Sequence, residues 1–217
     1  MQTDSATNQL SRKERERRQH EEEILQAARE LFARKGYYNT TLEEIAHHAQ
    51  FGKGTIYNYF SSKEDLFFGI LNGLLDTGVQ IAESSMTIPG SLRDKLTAYA
   101  KALLSYSEKN ADLFHMIERE VSQWKFSEQS ERISNLKARL HKVWEVLSFP
   151  LEEEMKAGRL RNFDAIHLAA MFDSLLRLHA MHPFHDLFWR GIMDTDMMAQ
   201  FIVDFFFEGI QQKGQNQ

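Results

Sequence analysis

The stretch that decides the fold runs from Thr40 to Phe67: T-T-L-E-E-I-A-H-H-A-Q-F-G-K-G-T-I-Y-N-Y-F-S-S-K-E-D-L-F. Thr41 with Glu44 three residues on forms a capping box, which predicts a short helix over 42–49 carrying Ile45, Ala46 and Ala49 on one side. Gln50, Phe51 and Gly52 break the pattern. A second short apolar-periodic stretch follows over 53–60, with Ile56 and Phe60 four apart. Ser62 with Asp65 reads as another capping box, opening a longer helix through Leu66, Ile70, Leu74 and Ile81 to near Glu83. Upstream, Ile24, Ala28, Leu31 and Phe32 recur at helical spacing as far as Lys35, and Gly36 stands where a left-handed C-terminal cap belongs.

Two short helices around a three-residue turn, set between two longer helices, are the layout of a helix-turn-helix reader of the DNA major groove. Ala46 and Ala49 are small where the short helices must cross closely, Ile45 and Ile56 fill the core between them, and Gly54 lets the second helix approach phosphates. The face left over offers Lys53, Thr55, Tyr57, Asn58 and Tyr59, donors with no carboxylate among them to repel phosphate, and Lys63 stands at the next helix start.

Outward from this motif the chain keeps a helical rhythm. Pro89, Gly90 and Ser91 punctuate it, and periodic segments follow at roughly 91–108, 111–124, 128–157, 164–181 and 194–212, with Pro150 expected to kink or split the segment that contains it. The 217 residues are 42% hydrophobic, enough for a sizeable core, while only 3 Pro and 11 Gly argue against a β-rich, turn-rich architecture. The expected class is all-α. Cysteine is absent, which removes disulfide frameworks, thiolate zinc sites and cysteine nucleophiles together and is compatible with a reducing cytoplasm, the location expected. No apolar run approaches the roughly 20 residues of a membrane span, and the charged first 23 residues contain no apolar signal segment. A net charge of -5 argues against indiscriminate coating of nucleic acid, so any DNA contact must be local.

The segment Thr40 to Phe67, extended back through I-L-Q-A-A-R-E-L-F-A-R-K-G at Ile24 to Gly36, resembles the DNA-binding domain of tetracycline-repressor (TetR) family regulators. Beyond it the likeness is looser, resting on the helical rhythm, the M-K-A-G-R-L-R turn from Met155 to Arg161, and the F-I-V-D-F-F-F-E-G-I ending. The resemblance implies an arm over 1–17 that is flexible or extends a helix, a homeodomain-like helix-turn-helix domain over 18–68 with its motif at about 41–60, and an all-helical ligand-binding and dimerisation domain over 69–217. It also implies that Lys53, Gly54, Thr55, Tyr57 and Tyr59 meet phosphates or bases, that Asn58 is the base reader, and that Thr41 and Lys63 clamp flanking phosphates. An amide pairs bidentately with adenine, worth about 1–3 kcal/mol of discrimination. One departure stands out. Where the family commonly has Gly, this chain has Gln50, so either the turn is shaped differently or the penalty of a left-handed residue, about 1 kcal/mol, is absorbed. The basic run Arg12, Lys13, Arg15, Arg17 and Arg18, diluted by Glu14 and Glu16, reads equally as a DNA-reaching arm or a solvated helix extension.

One such module reads too few base pairs for useful specificity, so helix-turn-helix proteins pair across a two-fold axis on a palindromic site. The last two helices supply a homodimer surface: the resemblance implies that they form a four-helix bundle with their symmetry mates, through Ile166, Ala169, Ala170, Leu176, Phe201, Ile202 and Phe205. It further implies a pocket for a small-molecule effector among the middle helices, lined from Phe114, Met116, Trp124, Trp144, Phe149, Met155 and Met171, although such side chains more often serve as plain core. The expected function is a repressor released from its operator by a small molecule; the alternative is a helical carrier or bundle enzyme with a vestigial helix-turn-helix. No cofactor, metal or membrane enters the expectation. His179, His182 and His185, with His167 and Asp186 nearby, read as surface or interface histidines rather than metal ligands, because Pro183 interrupts the row. Glu44 with His47 lacks the second pair of a di-iron site, and Gly52-Lys53-Gly54-Thr55 lacks the Gly and Ser or Thr of a phosphate-binding loop. No nucleophile–base spacing suggests an enzyme.

Overall fold

A computed structural model describes residues 11–123, 131–181 and 193–211. Its helices are α1 (Arg12–Lys35), α2 (Leu42–His48), α3 (Lys53–Tyr57), α4 (Lys63–Thr87), α5 (Leu92–Lys109), α6 (Ala111–Gln123), α7 (Glu131–Lys156), α8 (Ala165–Met181) and α9 (Thr195–Ile210). Among the described residues there is no strand, only an isolated bridge between Leu160 and Gln211, so the all-α expectation holds. The chain divides into two compact units between Ile70 and Leu71.

In the first unit, α1 starts at a full capping box. The Ser11 hydroxyl accepts from the Glu14 N–H while Glu14 Oε2 accepts from the Ser11 N–H at 2.7 Å. Residues 12–17 are therefore the first turns of α1. The helix ends at Gly36 (φ 84°), whose N–H donates to the Phe32 carbonyl. Thr41 and Glu44 form the expected capping box of α2. The turn after α2 is a Schellman motif: the Gln50 N–H donates to His47 O at 3.2 Å and the Phe51 N–H to Ala46 O at 2.9 Å. Gln50 has φ 60°. The backbone thus keeps the left-handed turn and absorbs the cost of a side chain there. α3 is shorter than the 53–60 expected, because its carbonyls are taken over by tighter bonds such as Asn58 N–H to Thr55 O at 3.1 Å and Tyr59 N–H to Ile56 O at 2.9 Å. Ile24, Ala28, Leu31 and Phe32 of α1, Ile45 and Ala46 of α2, Ile56 of α3 and Leu66, Phe67 and Ile70 of α4 make the core of this unit.

The second unit packs α7 against α8 and α5 against α9. Tyr99, Leu96, Leu147, Leu151, Phe172, Leu176 and Phe206 are among its buried side chains, with the Phe172 and Phe206 rings 4.8 Å apart. Each such side chain stabilises the fold by roughly 1.5–3 kcal/mol relative to exposure. Pro150 lies inside α7 without splitting it, so of the kink or split expected there the split does not occur. α7 closes on a second Schellman motif, here with glycine at the left-handed position: Gly158 has φ 71°, its N–H donates to Met155 O at 2.9 Å, and the Arg159 N–H donates to Glu154 O at 3.0 Å. Two residues further on, Arg161 sends its N–H to Ile210 O at 2.9 Å and its Nη1 to Gly209 O at 3.1 Å, tying this turn to the end of α9.

Candidate nucleic-acid interface

The surface of the α2–turn–α3 motif is assembled by the capping box and the Schellman turn, which satisfy the exposed backbone ends of α2 and set the entry to α3. Lys53, Gly54, Tyr57 and Asn58 are exposed on α3 and its cap, as is Thr41 at the start of α2, while Thr55 is half-buried. Tyr57 keeps 47% of its surface in solvent. A Cβ added to Gly54 would meet nothing within 4 Å, so the helix presents bare backbone there. Tyr59 is half-buried: its hydroxyl pairs with His20 Nδ1 at 3.1 Å, and the Arg17 guanidinium lies 6.0 Å from its ring centroid. His20 also meets the Phe51 ring edge-on at 5.0 Å, so α1 braces both the turn and the residue after α3.

Two features differ from the sequence expectation. First, a carboxylate does reach this face: Glu43 Oε1 of α2 stands 2.5 Å from Lys53 Nζ. Hydrogen bonding to Glu43 raises the Lys53 ammonium above its ordinary value, and the bond from Lys53 lowers Glu43. No spacing rule signalled this pair, since it depends on how α2 and α3 cross. Second, Lys63, expected on a phosphate, donates to the carbonyls of Tyr37 at 2.6 Å, Thr40 at 2.8 Å and Tyr38 at 3.3 Å, and sits 4.5 Å from the Tyr37 ring centroid. An ammonium has three N–H groups, enough to serve these three carbonyls. Lys63 therefore closes the loop between α1 and α2.

The second unit holds a buried polar constellation around Asp173. Asp173 of α8, fully buried, accepts from the Tyr99 hydroxyl at 2.6 Å on Oδ1, and from Trp144 Nε1 at 3.0 Å and Arg177 Nε at 2.7 Å on Oδ2. Burial, then the Asp173 charge, pushes the Tyr99 hydroxyl well above its ordinary value. Burial works against the Arg177 cation, but the charge and hydrogen bond of Asp173 outweigh it and hold Arg177 above its ordinary value. Arg177 Nη2 is buried with no hydrogen-bond partner among the described residues.

The expected pocket residues are dispersed rather than gathered. Phe114 and Met116 are buried, Trp144 is half-buried at Asp173, and Met155 packs beside the core. Phe149 and Met171 instead lie on the surface of the protomer, 68% and 63% exposed, because they fall on the outer sides of α7 and α8. Trp124 lies outside the described residues. Of the expected interface residues, Ala169 and Leu176 are fully buried inside the unit and Ile202 nearly so, which makes them core. Ile166 and Ala170 are half-buried, and Phe201 and Phe205 are exposed. α8 is apolar nearly all round, so periodicity alone could not say which side faces out. The outward apolar set is Met171, Leu175 and Leu178 on α8 and Met197, Phe201 and Phe205 on α9. Among the described residues no group of three or more His, Cys, Asp or Glu is placed to hold a metal, and His167 lies beside Asp164; His182, His185 and Asp186 are outside the described residues. No helix among the described residues is long and apolar enough to cross a membrane.

Comparison with known proteins agrees with this geometry. Residues 24–70 match the family model of bacterial regulatory proteins of the tetR family. The HTH-type transcriptional regulator HbdR of Aromatoleum sp. (strain CIB) is 45% identical over 62 residues, 29% of this chain and 26% of that protein, so the alignment spans about a quarter of that relative. The HTH-type transcriptional repressor KstR2 of Rhodococcus jostii is 28% identical over 152 residues, 69% of this chain and 72% of its own. Among solved structures, the regulator FadR of Bacillus subtilis, in complex with stearoyl-CoA, superposes with a TM-score of 0.72 at 19% identity, covering 88% of this chain and 99% of that one, which establishes likeness of fold. These relatives are named as regulators, not enzymes. With the helix-turn-helix of the first unit matched by the family model and the fold shared along most of its length, the chain carries over residues 24–70 a helix-turn-helix of the tetR family of bacterial regulatory proteins.

Proposed function

We propose that the protein is a cytoplasmic transcriptional repressor that binds a palindromic operator as a homodimer and is released by a small molecule. The observation that carries this reading is the exposed face of α3, where Lys53, bare Gly54, Tyr57 and Asn58 are held outward on a Schellman-capped helix-turn-helix. Asn58 reads a base, while Thr41, Lys53, Thr55, Tyr57 and Tyr59 fix position on phosphate and sugar. Lys53 exchanges Glu43 for phosphate on binding. The apolar stripe of Met171, Leu175 and Leu178 with Met197, Phe201 and Phe205 supports pairing of two copies through α8 and α9, since a contiguous exposed apolar surface marks an interaction site. Phe114, Met116, Trp144 and Met155 remain as apolar material for an effector site, and Arg177 Nη2 supplies a buried donor suited to an effector carrying a carbonyl or carboxylate oxygen. The name of KstR2 as a repressor supports the direction of control.

Selecting bound duplexes from a random pool tests the reading. The expected winner is a two-fold symmetric site bound with steep salt dependence, from which a small apolar molecule displaces the protein. Recovery of no preferred duplex would overturn the reading. Asn58→Ala is expected to relax base choice at one position of each half-site without changing the salt slope.

A further inference from the structure

The family match begins at residue 24, yet α1 begins at Arg12, about three turns earlier, and nothing in the motif accounts for that extension. Several of its carboxylates are engaged within the helix. Glu14 caps Ser11, Glu16 Oε1 takes Arg12 Nε at 2.7 Å, and Glu23 Oε1 takes Gln19 Nε2 at 2.9 Å. At 100° per residue, Lys13, Arg17, His20 and Ile24 fall within an arc of about 60°, and Glu21 and Glu22 fall outside it. That arc is the side turned to the motif: Ile24 is in the core, His20 bonds the Tyr59 hydroxyl and touches Phe51, and Arg17 lies over the Tyr59 ring. Lys13, exposed, continues the same line about 10 Å along the helix beyond His20. The cations of the extension that share a line with the reading head thus have no carboxylate on that line.

We propose that the α1 extension is a second DNA-binding element, in which Lys13 and Arg17 grip backbone phosphates beside those met by Tyr59. This rests on the DNA-binding reading above. The contact is electrostatic and independent of sequence, a clamp that adds affinity while α3 reads bases. Arg18, turned away from this line, takes no part.

The test uses the full chain and a selected duplex, measuring affinity from about 50 to 200 mM salt, where each phosphate contact contributes about 0.9 to the slope of log K against log salt. Lys13→Gln together with Arg17→Gln is expected to lower the slope by about 2 per bound subunit and to weaken the selected and an unrelated duplex by the same factor. Lys13→Gln alone, remote from Tyr59, is expected to give half that loss, which a mere disturbance of the Tyr59 contact would not. Arg18→Gln is expected to leave the slope as in the parent. An unchanged slope in the double variant would overturn the clamp while leaving the DNA-binding reading intact. An equal loss with Arg18→Gln would overturn it too, reducing the effect to net charge. A parent that binds no duplex would remove both readings.

Discussion

In the first unit the ion pairs Lys35–Glu44, His48–Glu30 and Lys53–Glu43 lie at the surface, with both partners at least a third exposed, whereas the second unit encloses Asp173 with Tyr99, Trp144 and Arg177. The two arrangements have different uses. Surface pairs add little stability and exchange partners readily, which suits the phosphate contact proposed for Lys53. A buried carboxylate serving three donors locks three helices, α5, α7 and α8, in one register, and is costly to break.

The contrast is sharpest at Asp173. Asp173→Ala leaves Arg177 charged and buried without its partner, and is expected to destabilise the chain by about 3–5 kcal/mol in denaturant unfolding. Within the first unit Lys63, half-buried against three backbone carbonyls, stands apart from the surface cations. Lys63→Ala uncovers three carbonyls and is expected to cost about 1–3 kcal/mol in thermal unfolding, with the salt slope of DNA binding unchanged. If the slope instead fell by about 1 with no loss of Tm, Lys63 would be a phosphate contact after all.

The two Schellman turns give a smaller test, one in each unit. Gln50→Gly relieves a left-handed side chain and is expected to stabilise by about 0.5–1 kcal/mol, while Gly158→Ala creates the same strain and costs about 1 kcal/mol. Glu43→Gln frees Lys53 and removes a negative charge from the reading face. Operator affinity should rise a few-fold at low salt, and the gain should vanish at high salt.

The smallest effect is in acid. Hydrogen bonds from His48 to Glu30, from Lys53 to Glu43 and from Lys35 to Glu44 hold these carboxyls below the ordinary 4.5. Their folded values lie below their unfolded ones, so the stability they add is complete above the unfolded value and is lost as pH falls through the folded values. A Tm profile should therefore decline below about pH 4.5, and Glu44→Gln should flatten that decline.

The first unit was largely legible because its signals are local. Thr41 and Glu44 announce α2, the break at Gln50, Phe51 and Gly52 marks the turn though not its left-handed shape, and the aligned family segment covers the rest. What stayed hidden there depends on crossing geometry, Glu43 against Lys53 and Lys63 against three carbonyls. In the second unit the helices themselves were readable from apolar spacing, but their sides were not. Leu176 and Leu178 have the same hydropathy, and only packing buries the first and exposes the second. Tyr99 and Asp173 are 74 residues apart, and neither carries a sign of the other.

The tie between Arg161 and the end of α9 makes one backbone amide a gauge of a distant event. Its hydrogen is held by Ile210 O, so its exchange with solvent needs this turn and the end of α9 to part. The deuterium uptake of that single amide thus times the fraying of α9, the helix that carries half of the exposed apolar stripe, and any companion that steadies the stripe should slow it.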